Sequence, residues 1–252
     1  MLSLAQQAEF DRRGLLRLPG ALARTDVVRM RDRVWSHLGL TCGAVAERPE
    51  TWPAATPAHF QALTATGAFD PMVPPAIRAA VHQLLGPQGW REPEHWGRPL
   101  VTFPERGTPW RLPASGWHMD SAGRPGDPLL LVFACLAAVR SRGGGTLVVT
   151  GSHQLTAPGR RYAGRRSADI RARLTRDHPW FRDLLTRGEE PDRTERLLSS
   201  GSRVDGVDLR IDELAGEAGD VFVMHPRLLH AVAPNALDVP RLMLLQFIEE
   251  SP

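Results

Sequence analysis

The sequence predicts a mainly β protein, a sandwich or jelly roll with a helical coat, that begins with helices and carries one helical insert. Two textures in the chain support this. Up to about residue 97, apolar residues recur at helical spacing. From about residue 98 they gather into short runs of Val, Leu and Phe separated by Gly and Pro. Helices first, then a multi-stranded β core with one helical insert, fit a sandwich or jelly roll with a helical coat best.

In the first part, "TDVVRMRDRVWSHLGL" (25–40) offers Thr25 as an N-cap and Val28, Val34, Trp35 and Leu38 at helical spacing. "PAIRAAVHQLLG" (75–86) opens with Pro in its first turn and stops at Gly86. The strand candidates are "RPLVTF" (98–103), "GWHMD" (116–120), "LLLVFACLAAV" (129–139), "TLVVT" (146–150), "DVFVM" (220–224) and "RLMLLQFI" (241–248). Residues 160–196 interrupt them with 11 Arg against 7 Asp or Glu. Within that stretch, 167–188 reads as a helix capped by Ser167 and stopped by Gly188. A single domain over 1–252 follows, with a mainly helical part at 1–97 and a β core at 98–248 that holds the insert at about 154–200.

Composition narrows the function. All 31 basic residues are Arg, in a chain rich in Ala, Gly and Pro, which follows GC-rich coding, so a pI of 9.6 carries little information about partners. The net charge is +3 and no Arg stripe is interleaved with aromatics, so nucleic acid is not an expected partner. Cys42 and Cys135 are too few for a disulfide framework or a Cys-based zinc site, and read as buried thiols. The N-terminus lacks the pattern of a signal peptide, and the apolar run 129–139 is too short to span a bilayer. These observations predict a cytoplasmic protein without a membrane partner.

The chemistry concentrates in "GWHMD". On a strand, His118 and Asp120 project from one face while Trp117 and Met119 project from the other. An imidazole and a carboxylate converging in this way supply two ligands of a 2-His-1-carboxylate facial triad, which leaves positions open on a non-haem iron. The pair alone is weak, because chance places one in roughly half of chains of this composition. A third ligand on a neighbouring strand would complete it. "GDVFVMHPRLLHAVAPNALDVPRLMLLQF" (219–247) offers His230 before a turn, with His225 as a rival five residues earlier. Arg241 then heads an apolar strand. If it points inward, a carboxylate guest held by a bidentate pair is its natural partner; otherwise it is an edge-strand Arg in solvent.

His118-x-Asp120, "GGGTLVVTGSH" (143–153), "HAVAPN" (230–235) and Arg241 together resemble the phytanoyl-CoA dioxygenase-like family of Fe(II)- and 2-oxoglutarate-dependent oxygenases. The match runs in register over about residues 98–248, roughly 60% of the chain. The resemblance implies a double-stranded β-helix, the cupin-like form of the jelly roll. It also implies His118, Asp120 and His230 as iron ligands, Arg241 as the anchor of the distal carboxylate of 2-oxoglutarate, and O₂ as the oxidant. An Asp at position 120, where related halogenases have Gly or Ala, implies hydroxylation, desaturation or cyclisation rather than halogenation. Two positions depart from the family. Thr150 stands in place of a usual Pro, and Val232 in place of a Ser or Thr that supports the co-substrate. Thr102, on the strand before His118, is the candidate replacement for that hydroxyl.

The remaining features each have two readings. The Arg-rich insert could be a lid over an anionic small-molecule substrate, or a solvated helix face in a chain without Lys; the second is the plainer. His153 fits a structural or pocket-rim role better than a ligand role. His37, His59, His82, His95 and His178 have no partner at a useful spacing. A cupin-like metalloenzyme that does not use 2-oxoglutarate has no need of Arg241. A non-enzymatic binding module would have no need of the triad.

Overall fold

The structure, a computed structural model, describes residues 1–251 except 56, 87, 88, 106, 108, 122, 187–189 and 191. Its helices, in chain order, are α1 (Leu4–Arg13), α2 (Arg24–Cys42), α3 (Gln61–Thr64), α4 (Pro75–Leu85), α5 (Ser167–Asp177), α6 (Pro179–Leu185) and α7 (Arg193–Ser199). The strands are β1 (Leu15–Leu18), β2 (Trp90–Arg91), β3 (Arg98–Thr102), β4 (Leu130–Cys135), β5 (Thr146–Thr150), β6 (Ser202–Val204), β7 (Val207–Glu213), β8 (Val221–Met224), β9 (Leu229–Val232) and β10 (Arg241–Glu250). They form two antiparallel sheets. The six-stranded sheet runs β1-β8-β4-β10-β2 with β3 also paired to β10, and the four-stranded sheet runs β6-β7-β5-β9. This is the double-stranded β-helix that the sequence leads one to expect.

The period of the strands divides the apolar residues into three layers. On β4, Leu131, Phe133 and Cys135 face the interior between the sheets, where they meet Val148, Phe222, Met224, Met243 and Leu245. The alternate residues Leu130, Val132 and Ala134 pack outward under α2 and α4, against Met30, Val34, Leu38, Ile77 and Val81. The outer face of the small sheet, with Leu147, Val149, Leu209, Ile211, Leu229 and Ala231, is covered by the insert through Ile170, Leu174, Phe181 and Leu184. Strands with both faces buried read as continuous apolar runs, which is why β4 and β10 stand out in the sequence.

Several local expectations are corrected. Helix α2 begins two residues early, after Ala23, and Thr25 makes no cap. The helix expected over 167–188 is two helices. His178 is extended (φ −130°, ψ 121°) between them, because Pro179 disfavours a helical conformation in the residue before it. Gly188, its expected stop, lies outside the described residues. The N-cap of α5 is Arg166, and Ser167 is the first helical residue. "GWHMD" is not a strand of a ladder but an extended segment with a single bridge, His118 to His230. Cys42 is exposed, while Cys135 is buried. The hairpin β6–β7 was missed although Asp205-Gly206 announces it: both residues have positive φ (47° and 82°), as a type I′ turn requires.

Candidate metal centre

His230 sits on β9, the edge of the small sheet. Its neighbours Leu229 and Ala231 belong to the outer core, so the His230 side chain faces inward with its cross-strand partner Val148. The edge of β9 is free to accept one more partner, and His118 takes it. The His118 N–H donates to His230 O (2.8 Å) and the His230 N–H to His118 O (2.9 Å), so the two imidazoles share a face with ring centroids 4.2 Å apart. Two residues on, the Asp120 N–H donates to Pro226 O (2.9 Å) and brings the carboxylate onto the same side. The start of β9 is held in turn by the "TGSH" turn, where Ser152 Oγ accepts the Leu229 N–H (2.9 Å) in a buried setting.

Asp120 Oδ1 lies 3.6 Å from His118 Nε2 and Oδ2 lies 3.2 Å from His230 Nε2. One ligand atom from each of the three residues falls within 4.8 Å of the others. The tautomers follow from the outer partners. His118 Nδ1 is 2.8 Å from Gly116 O and His230 Nδ1 is 2.9 Å from Leu228 O. A carbonyl only accepts, so each Nδ1 carries a proton and each Nε2 is turned toward the carboxylate. Two Nε2 atoms and a carboxylate turned toward one point can be bridged by one cation, and backbone carbonyls behind metal-bound imidazoles are a recurring arrangement. This donor set fits a divalent transition metal held by two imidazoles and one carboxylate. The His230 side chain is 7% exposed and that of Asp120 18%, against 47% for His118, so the site opens to solvent on the His118 side.

Arg241 faces the same interior, since Met243 and Leu245 beyond it line the inner core and Leu242 and Leu244 the outer. It is 3% exposed, and neither Nε nor Nη1 has a hydrogen-bond partner among the described residues. Burial pulls its pKa down to about 10, partly offset by the nearby Cys135 and Glu213. Neither neighbour is hydrogen-bonded to its Nε or Nη1. Burial pushes the Cys135 thiol up to about 12, which keeps it uncharged. The Glu213 carboxylate already accepts the N–H groups of Arg142 (2.7 Å) and Gly145 (2.9 Å). A buried guanidinium with free donors is costly unless an anionic guest completes it.

Thr102 pairs directly with Arg241 across β3 and β10, so the residue expected to assist it shares its face. Val232, two residues after His230, is on the inward-facing side but 57% exposed at the strand's end. Its cross-strand partner Thr146 is buried, a hydroxyl on the inward face that sequence reasoning passed over. Only the alternation of "TLVVT" could have marked it. His225 lies away from the triad, stacked 4.9 Å from His153, whose Nε2 donates to Asp11 O (3.1 Å). His225 is therefore not the third ligand, and His153 is structural. The other histidines serve locally: His82 Nδ1 accepts from Trp90 Nε1, and His178 pairs with Tyr162.

A jelly roll that brings together a His-x-Asp…His triad, with a buried arginine between its sheets, fits the class of non-haem iron oxygenases. The chain belongs to the phytanoyl-CoA dioxygenase (PhyH) family, whose sequence profile matches residues 10–243. It is thus an enzyme of the Fe(II)/2-oxoglutarate-dependent dioxygenases, with iron and 2-oxoglutarate as cofactors. Comparison with curated proteins returned no match. Solved structures share the fold. AviO1 from Streptomyces viridochromogenes superposes with a TM-score of 0.58 at 16% identity, covering 100% of this chain and 97% of that one. HygX from Streptomyces hygroscopicus, with nickel and 2-oxoglutarate bound, gives 0.58 at 17% identity over 97% and 86%. SnoN, a non-haem α-ketoglutarate-dependent epimerase from nogalamycin biosynthesis, gives 0.55 at 16% identity over 96% and 79%. No described helix is long and apolar enough to cross a membrane.

Proposed function

We propose that this enzyme oxidises an unactivated C–H bond of a small molecule in natural-product biosynthesis, by hydroxylation or by the related desaturation or cyclisation. His118, Asp120 and His230 would hold the iron, and Arg241 the distal carboxylate of 2-oxoglutarate. The observation that carries the reading is the coincidence of a convergent ligand triad with a buried Arg241 whose Nε and Nη1 await an acceptor, both on the interior side of the same two sheets. Iron held by His118, Asp120 and His230, with 2-oxoglutarate and O₂, would supply the oxidising power, with succinate and CO₂ as co-products. A cupin-type metalloenzyme that does not use a 2-oxo acid would leave the guanidinium's burial uncompensated.

The residues of the chain divide the work. Gly116 O and Leu228 O fix the two imidazoles as Nδ1–H tautomers and aim Nε2 at the metal position. Asp120 supplies the anionic ligand and occupies the position that chloride would need, which supports oxygen insertion over halogenation. Arg241 orients the co-substrate through a charge-assisted pair, with Thr102 and Thr146 as hydroxyls on the same inner wall. The apolar interior around Phe133, Phe222 and Met243 excludes water from the co-substrate's chain. The nogalamycin relatives and the open His118 side support a small-molecule substrate bound over the rim.

The test is succinate formation under ¹⁸O₂ with a panel of small molecules, anionic and neutral. Product gaining one ¹⁸O atom supports hydroxylation, and product lighter by two hydrogens supports desaturation or cyclisation. The proposal fails if no compound stimulates succinate release above the substrate-free rate, or if Asp120→Ala releases it as fast as the wild type.

A further inference from the structure

The segment that carries His118 and Asp120 has little sheet to hold it. It makes one bridge to β9, at His118, and the Asp120 and Ser121 N–H groups add bonds to Pro226 O. Between the two ligands, the Met119 N–H points the other way, and the insert provides its acceptor: Ser167 Oγ, at 2.9 Å, from the first turn of α5. Six residues before His118 the same segment is gripped again. Thr194 Oγ1 accepts the Leu112 N–H (3.2 Å), and Arg193 Nη1 donates to Leu112 O (3.1 Å). Arg193 is 5% exposed, and its other nitrogens donate to Asp183 O (2.9 Å) and Leu184 O (2.8 Å) at the end of α6. One buried guanidinium thus ties α6, α7 and the approach to the metal together. Leu112, Trp117 and Met119, the side chains facing away from the metal, are set among Ile170, Leu174, Phe181 and Leu184 of the insert.

We propose that the helical insert is the mould of the metal centre: Ser167 and the Arg193–Thr194 pair are positioning residues that hold the His118–Asp120 segment in ligating geometry. The inference rests on the metal-centre reading above and adds to it a cause for the geometry. A strand inside a sheet has its register fixed by ladders on both sides, and this segment has β9 on one side only. The insert substitutes for the missing neighbour with two backbone clamps, one at Leu112 and one at Met119, that bracket His118. Without Ser167 the half-buried Met119 N–H would lose its protein acceptor, and the segment would relax to find another. Relaxation of the peptide between His118 and Met119 would change how the His118 imidazole and the Asp120 carboxylate are placed relative to one another.

The test is anaerobic titration with Co(II), read through its ligand-field absorption, on the full chain. Ser167→Ala is expected to bind Co(II) about tenfold more weakly or worse, as loss of groups that orient metal ligands commonly does, and to change the intensity of the Co(II) bands. Ser167→Thr, which keeps the hydroxyl, is expected to stay within about threefold of wild type. Arg166→Ala, an exposed neighbour, should leave both readouts unmoved. Arg193→Met should weaken binding like Ser167→Ala; should it fail to fold, Ser167→Ala alone decides. Wild-type affinity and spectrum in Ser167→Ala overturn the proposal. If the wild type itself binds no Co(II), the metal-centre reading falls and this one with it. If the wild type binds, His118→Ala does not, and Ser167→Ala binds normally, only the mould falls.

Discussion

At the scale of single residues, Arg241 combines a costly burial with the clearest assignment. Its guanidinium is buried without a partner for Nε or Nη1, so removing it should not weaken the empty fold. Arg241→Met is expected to melt at or above the wild-type temperature without ligands. With metal and 2-oxoglutarate at about 100 times its Kd, the wild type should gain roughly 5–10 °C and the variant little. Differential scanning fluorimetry checks both, and in assays the variant's KM for 2-oxoglutarate should rise about 100-fold. His225 gives a prediction about pH. Burial, with the charges of His153 and Arg227, pushes its pKa from 6.5 down to about 3, and its Nδ1 accepts the Arg227 N–H. The folded state therefore resists a proton that the unfolded state accepts. Stability is complete above 6.5 and lost as pH falls toward 3, by up to about 1.4 kcal/mol per pH unit. Acid unfolding followed by tryptophan fluorescence should show a lower midpoint pH in His225→Gln, and an unchanged midpoint would contradict this reading.

At the scale of elements, the sequence was most informative where one residue type had one use. β4, β5, β8 and β10 show as apolar runs because both of their faces are buried, and Gly86 and the Pro at 75 bound α4 as propensity dictates. The misses have physical causes. Ser167 carries a cap signature, but its hydroxyl serves Met119, a partner 48 positions away that local reasoning cannot see. The helix through 178 was read as continuous because its apolar period continues across Pro179. "GWHMD" alternates as a strand does, yet it is held by the insert rather than by a ladder. The "TGSH" turn is both legible and exacting. Gly151 has φ 86°, and a Cβ there would stand 2.4 Å from Asp208 O, while Ser152 beside it holds the start of β9. Gly151→Ala should destabilise by about 3 kcal/mol in urea unfolding, from backbone strain and overpacking together. It should also weaken metal binding through Leu229 and His230.

At the scale of the whole molecule, the two sheets put chemistry on the inner face and structure on the outer ones. The large sheet hides behind the N-terminal helices, the small sheet behind the insert, and the triad lies at the free edge of β9, where one side remains open. The order of motifs along the chain was enough to anticipate this arrangement, because the His-x-Asp, the "HAVAPN" turn and Arg241 fall on elements that the fold brings together. The role of the insert was not, since its contacts with the metal segment are made by ordinary Ser, Thr and Arg side chains with no spacing signature. The account's central claim is that His118, Asp120 and His230 hold iron(II) beside a 2-oxoglutarate gripped by Arg241. Anaerobic addition of Fe(II) and 2-oxoglutarate, watched for the visible metal-to-ligand charge-transfer band, tests it most directly. The band should form in the wild type, be lost in Asp120→Ala, and need far more 2-oxoglutarate in Arg241→Met. A wild type without the band, or variants that match it, would contradict the account.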